Sequence, residues 1–214
     1  MSMSGAPISE RKAERMPSLS ESWSTQEMIN AGWREADLQW EEASAAVLDA
    51  LSRDNYATAA EHAGRALQLA RENFEPIDPR LGTSLANYGI CLAIEGDAAA
   101  LQSLVDKALN TWRGSQPWIA KLTAPRSARS SMFHLRMEAL HRETYRARWR
   151  QRWQEIAEES TGRLQRLNDR LASGDPASPQ VPAETMLATW MRERPAMLND
   201  TRKLLGASLL LLVS

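Results

Sequence analysis

The chain is short of the residues that build most small-site chemistry. One cysteine, Cys91, excludes an intramolecular disulfide framework and a Cys-rich zinc site. Three histidines leave little room for a His-based metal cage. No Gly-rich phosphate loop and no nucleophile motif around Ser or Cys is present. Neither sign of charge dominates: 26 Lys and Arg face 27 Asp and Glu over 214 residues, for a formal net charge of −1. That balance argues against a wholly basic nucleic-acid wrapper and against an acidic disordered tail. Long apolar runs are missing too. The longest candidate, 204–213, is about half of what a bilayer span needs and reads as a terminal helix packed on the body, or alternatively docked into a partner. Residues 1–22 are rich in Ser, Pro and charge and lack a signal peptide's apolar stretch. They read as a disordered tail, and the expected compartment is the cytoplasm.

Val and Ile are sparse, whereas Ala, Leu, Arg, Glu and Gln are abundant. These are helix formers, and the expectation is an all-α protein. Ser24 and Glu27 have capping-box spacing and predict a first helix running from there to about Arg53. Further helices are predicted over 56–73, 79–95 and 98–113, with 114–125 as a loop. Residues 126–172 contain no proline and a single glycine, Gly162, and predict one long helix or a helix pair. Residues 173–182 carry three prolines and read as a linker. A short helix is expected over 183–194, and a last one after Pro195. The domain expectation is therefore a tail (1–22), a helical repeat domain (23–125), the long segment (126–172), the linker (173–182) and a C-terminal helical unit (183–214) ending in an apolar tail.

Internal repetition is the strongest signal. The stretch from Asp54 through Tyr56, Ala59, Ala63 and Ala66 to Leu67 recurs in pattern from Gly96 through Leu101 and Val105 to Ala108 and Leu109. Ala66 and Ala108 are 42 residues apart. Ala59, Ala63 and Ala66 share one helical face, where small side chains let two antiparallel helices approach closely. Tyr56 is expected to wedge between hairpins. Leu85, Tyr88-Gly89 and Leu92 supply knob, gap and knob on the facing helix. This pattern over residues 36–113 resembles the tetratricopeptide repeat (TPR). The nearest form is the 42-residue variant of kinesin-light-chain-like proteins, with 73–79 as its acidic, proline-containing loop. Ala46-Val47 depart from that family's preferred Leu-Gly, and Leu101 from its preferred Ala. The resemblance implies a short α-solenoid whose ends need capping; 26–33 and the helix after Arg126 are the expected caps.

The resemblance also implies a concave groove lined by the first helix of each hairpin, with an asparagine that holds ligand backbone. Asn87 falls at that position. The same register assigns Glu41, Leu48, Leu51, Thr83, Ile90 and Ile94 to the groove. An Asn carboxamide donates to a peptide carbonyl and accepts from a peptide N–H, which suits sequence-tolerant recognition.

Charge is segregated beneath the neutral total. Residues 26–113 hold 14 acidic and 7 basic residues, whereas residues 126–152 hold 8 Arg and 2 Glu. Within the basic arm, Arg142, Tyr145, Arg146, Trp149, Arg150 and Trp153 form a stripe with one cationic and one aromatic edge. Trp149, Trp153, Ile156, Leu164, Leu167 and Leu171 continue it as a coiled-coil-like seam, expected to pack within the chain. Eight Trp in a small helical chain lean toward a partner surface, since Trp and Arg dominate interface hot spots.

His134, Glu138 and His141 share a helical face, but no further ligand accompanies them, so no metal and no cofactor is expected. Cys91 reads as core. The functional expectation is a non-catalytic protein–protein adaptor, or an accessory subunit of a larger complex, bacterial by its Ala- and Arg-rich composition. Its partner would be a protein, bound through the groove and the Arg/Trp helix, with no membrane insertion. The alternative is an RNA- or single-strand-binding regulator using residues 142–153, where Arg planes and aromatic rings would pair with phosphates and stack on bases.

Overall fold

A computed structural model describes residues 25–30, 32–124, 139–174 and 200–211. Among these residues the chain is all-helical, with eight helices and no strand. In chain order they are α1 (Thr25–Asn30), α2 (Glu35–Ser52), α3 (Tyr56–Asn73), α4 (Pro79–Glu95), α5 (Leu101–Arg113), α6 (Gln116–Ala120), α7 (Ala139–Ala172) and α8 (Asp200–Ala207). The expected tail 1–22, most of the linker, the 183–194 helix, His134 and Glu138 lie outside the described residues.

Local chemistry sets most boundaries. The expected first helix is two, because Gly32 takes φ +95°, a left-handed turn that ends α1. Asp37, in the first turn of α2, accepts the backbone N–H of Arg34 at 3.0 Å and restarts the helix. Asn55 caps α3 by accepting the N–H of Thr58. Asp78 caps α4 by accepting the N–H of Arg80, with Pro79 at the first helical position. Gly96 closes α4 in the left-handed conformation. Helix α5 starts at Leu101 rather than at Ala98, because Asp97 turns the chain by accepting the N–H of Ala99. The expected loop at 114–125 contains α6, which admits Pro117 in its first turn, where no intrahelical N–H is needed. Helix α7 is continuous through Gly162 and about 50 Å long.

Successive helices pack on one another from α2 to α5, and α7 lies across α5 and α6. Helix α8 fits between α4 and α7. Ala59, Ala63, Ala66 and Ala70 form the buried face of α3, so its neighbours come close. The α4–α5 crossing depends on two glycines. A Cβ at Gly82 would lie 2.8 Å from Cδ1 of Trp112, and one at Gly89 would lie 3.2 Å from Leu104 Cβ. Tyr56 is exposed and bonds Asp54; it is not the wedge. Tyr88 takes that place, its ring edge against Gly64.

The six tryptophans among the described residues pack into the chain's own core. Trp33, Trp40, Trp112 and Trp153 are buried, and Trp118 and Trp149 are half-buried. Three of the buried indoles donate to hydroxyls: Trp40 to Ser84 at 2.8 Å, Trp112 to Thr83 at 3.2 Å and Trp153 to Thr201 at 3.1 Å. Each N–H is therefore satisfied where water is absent.

Candidate functional site: the groove between α2 and α4

Glu41, Leu48 and Leu51 lie on α2, and Thr83, Asn87, Ile90 and Ile94 lie on α4. Three of these seven positions, Glu41, Thr83 and Asn87, bond residues 200–211 of the same chain. The Asn87 side chain donates to the Leu209 carbonyl at 2.9 Å and accepts the Leu211 N–H at 2.8 Å. One carboxamide thus reads two peptide groups two residues apart. Thr83 donates its hydroxyl to the Ala207 carbonyl and accepts from the Trp112 indole. Glu41 holds Arg202 through both carboxylate oxygens, at 3.2 and 2.6 Å. Leu51 and Ile90 are buried in one apolar cluster with Leu211, and Leu48 and Ile94 pack against that cluster.

Beneath the groove is a buried ionic network whose key members the sequence reading did not single out. The Arg80 guanidinium is 3% exposed and lies flat over the Phe74 ring, 3.6 Å from its centroid. Its Nη1 donates to Asp37 at 2.6 Å, and its Nε and Nη2 fork onto the Asp78 carboxylate. Asp37, fully buried, also accepts from Arg34 and faces Lys203 at 3.6 Å. Burial alone would raise the Asp37 carboxyl, but the Arg34 hydrogen bond and the Arg80 and Lys203 charges hold it well below the usual carboxylate range. Glu41 is different: burial pushes its carboxyl upward, and Arg202 only partly offsets this. The available sequence signal was the Asp78-Pro79-Arg80 helix start, which puts a cap and a long cation side by side. That the cation would turn inward is decided by Phe74 and Asp37, 6 and 43 residues away in the chain.

The basic stripe divides into two edges. Arg142, Arg146 and Arg150 are exposed; Arg150 and Arg146 reach Glu143 of their own helix at 2.5 and 4.0 Å. Tyr145 and Trp149 are half-buried, and Trp153 is fully inside. The three rings form a ladder, with centroids 6.4 and 6.3 Å apart. The seam continues inward through Ile156, Leu164 and Leu167, with Ser160 also buried. From His141 to Arg152, only Tyr145 and Trp149 are partly covered, and the exposed positions include Arg142, Arg146, Arg148, Arg150 and Arg152.

Reactive chemistry is scarce among the described residues. Burial, with the nearby Glu95 charge, pushes the Cys91 thiol up to about 12, so the thiolate nucleophile is suppressed. His141 is exposed, and no group of three metal-ligating side chains is found among the described residues. None of the described helices is long and apolar enough to cross a membrane. A cleft of about 260 Å³ opens beside the Arg80 network, lined by Arg34, Glu75, Lys121 and Lys203 among others. Its rim cations are already paired, Lys121 to Glu75 and Arg34 and Lys203 to Asp37. Comparison with protein-family models, with curated proteins and with solved structures finds no match to this chain.

Proposed function

We propose that this protein is a non-catalytic interaction module: an adaptor, or an accessory subunit of a larger assembly, built on TPR-like helical hairpins. The observation that carries the reading is Asn87 of α4, which holds the backbone of the chain's own residues 209–211 through both polar atoms of its carboxamide. That contact is the one the resemblance implies for partner recognition. A binding surface on α7 supports the same reading. Arg142, Arg146, Arg148 and Arg150 are exposed on a helix anchored at its other end by Trp153 and Leu164. Such a rod offers cations to an acidic protein surface with little rearrangement.

The nucleic-acid alternative draws on the same arginines. It has less support, because Trp153 is buried and bonded to Thr201 and has no face to offer a base.

The test is a native pull-down of the full-length protein from its own source, at low and moderate salt, with and without nuclease. A stoichiometric protein partner that survives nuclease, and is lost on Arg142→Glu/Arg146→Glu/Arg150→Glu substitution, is the expected result. Nucleic acid that co-purifies, with partners released by nuclease and a steep log-linear salt dependence, would overturn it.

A further inference from the structure

Residues 200–211 meet the rest of the chain as a bound peptide does. Helix α8 ends at Ala207, and the groove takes over there. The carbonyls of Ala207 and Leu209 and the N–H of Leu211 are all bonded by side chains of α4. Those contacts read backbone and would accept many sequences. The remaining contacts are selective. Glu41 holds Arg202, and Asp37 faces Lys203. Both cations also lie near the Trp33 ring, at 5.2 and 5.5 Å from its centroid. Gly206 passes over Trp40, where a Cβ would be 3.4 Å from the indole. Leu204, Leu210 and Leu211 are buried.

We propose that the α2–α4 groove is a peptide-exchange site. Residues 200–211 are its resident ligand, and its external partner is a basic-amphipathic segment of the same pattern. That pattern is two adjacent cations, then leucine, a small residue two positions later, and a pair of leucines beyond the helix end. Two carboxylates favour this sign of partner: Glu41 forks onto Arg202, and Asp37, also held by Arg80 and Arg34, lies 3.6 Å from Lys203. The inference rests on reading the groove as a partner surface. It does not depend on Arg142, Arg146 and Arg150, which are exposed on the other half of α7.

The experiment titrates a fluorescein-labelled synthetic peptide of residues 200–211 into full-length protein. In an Arg202→Glu chain, like charges meet at Glu41 and the resident segment loosens. The peptide is expected to bind this chain at least ten-fold more tightly than wild type. A Glu41→Arg chain should lose the wild-type peptide and regain binding to one carrying Arg202→Glu. Absence of saturable binding to any variant that keeps its helical circular dichroism overturns the proposal. So does a two-chain species formed by swapping the segment, which would make a second copy the occupant. Should Arg202→Glu fail to fold, hydrogen exchange on the wild-type chain decides. Excess unlabelled peptide must speed exchange of the Leu211 N–H and leave α4 and α5 protected; unchanged exchange sinks the idea. A pull-down partner lost with the α7 arginines but indifferent to peptide would leave the adaptor reading standing and this one refuted.

Discussion

Arg80 shows how a single side chain comes to organise a fold. Its charge is removed from water, which is strongly unfavourable alone, and is then met by two carboxylates and an aromatic face. The arrangement ties α2 to the start of α4. Arg80→Ala leaves Asp37 and Asp78 buried without their main partner, and a loss of about 3–5 kcal/mol in urea denaturation is expected. Arg80→Lys should not restore it, because an ammonium cannot fork onto Asp78 while reaching Asp37. Asp37 gives the pH dependence. Its carboxyl titrates near 3.8 when unfolded and well below that when folded, so the unfolded chain binds more protons in this window. The stability it contributes is fully present above about pH 4 and is lost as pH falls further. Denaturation midpoints measured from pH 6 to pH 3 should fall on the acid side. In Asp37→Asn the protein should be weaker throughout, with a flatter acid limb.

Helix–helix distance is controlled by glycine and alanine at the crossings. Gly82→Ala places a methyl against Trp112 and the Ala108 carbonyl, neither of which can give way easily. Destabilisation of about 1–3 kcal/mol is expected. Gly162→Ala is the control, because only the flexible end of Arg166 is near it in mid-helix α7. There a gain of about 0.5–1 kcal/mol is expected from helix propensity. Paired thermal melts read both signs. The elements themselves were largely legible in the sequence: α3 and α4 have the predicted bounds, since Asn55, Asp78-Pro79 and Gly96 are local signals. Gly89 was visible as a gap because the repeat pattern framed it. Gly82 was not, because its constraint comes from Trp112 of the next helix. The break at Gly32 was missed for a related reason. A left-handed glycine inside a helix-forming run ends the helix only when the next turn can restart, and here Asp37 provides that restart. Tyr88 rather than Tyr56 lies against Gly64, for want of any sequence signal about which ring faces it.

At the scale of the whole molecule, the sequence singled out Glu41, Thr83 and Asn87 but not the segment they meet. All three bond residues 202–211 of the same chain. Arg202, Ala207 and Leu209 carry no local mark that they belong there, since their partners are more than 120 residues away in the chain. Long-range placement of this kind is measurable by coupling. Arg202 and Glu41 form a largely buried forked pair across 161 residues, so Glu41→Gln and Arg202→Gln should each destabilise the chain. The double variant should lose less than the two losses combined, with a coupling of about 0.5–3 kcal/mol. Glu143 and Arg150 supply the contrast at a similar distance, 2.5 Å, but on the exposed half of α7. Solvent screens that pair, and its cycle should show no measurable coupling. A Glu41–Arg202 coupling as small as the control's would mean that residues 200–211 are not seated against α2 and α4 in solution. A large one that disappears when the 200–211 peptide is added in excess would mean that the seat is held in exchange.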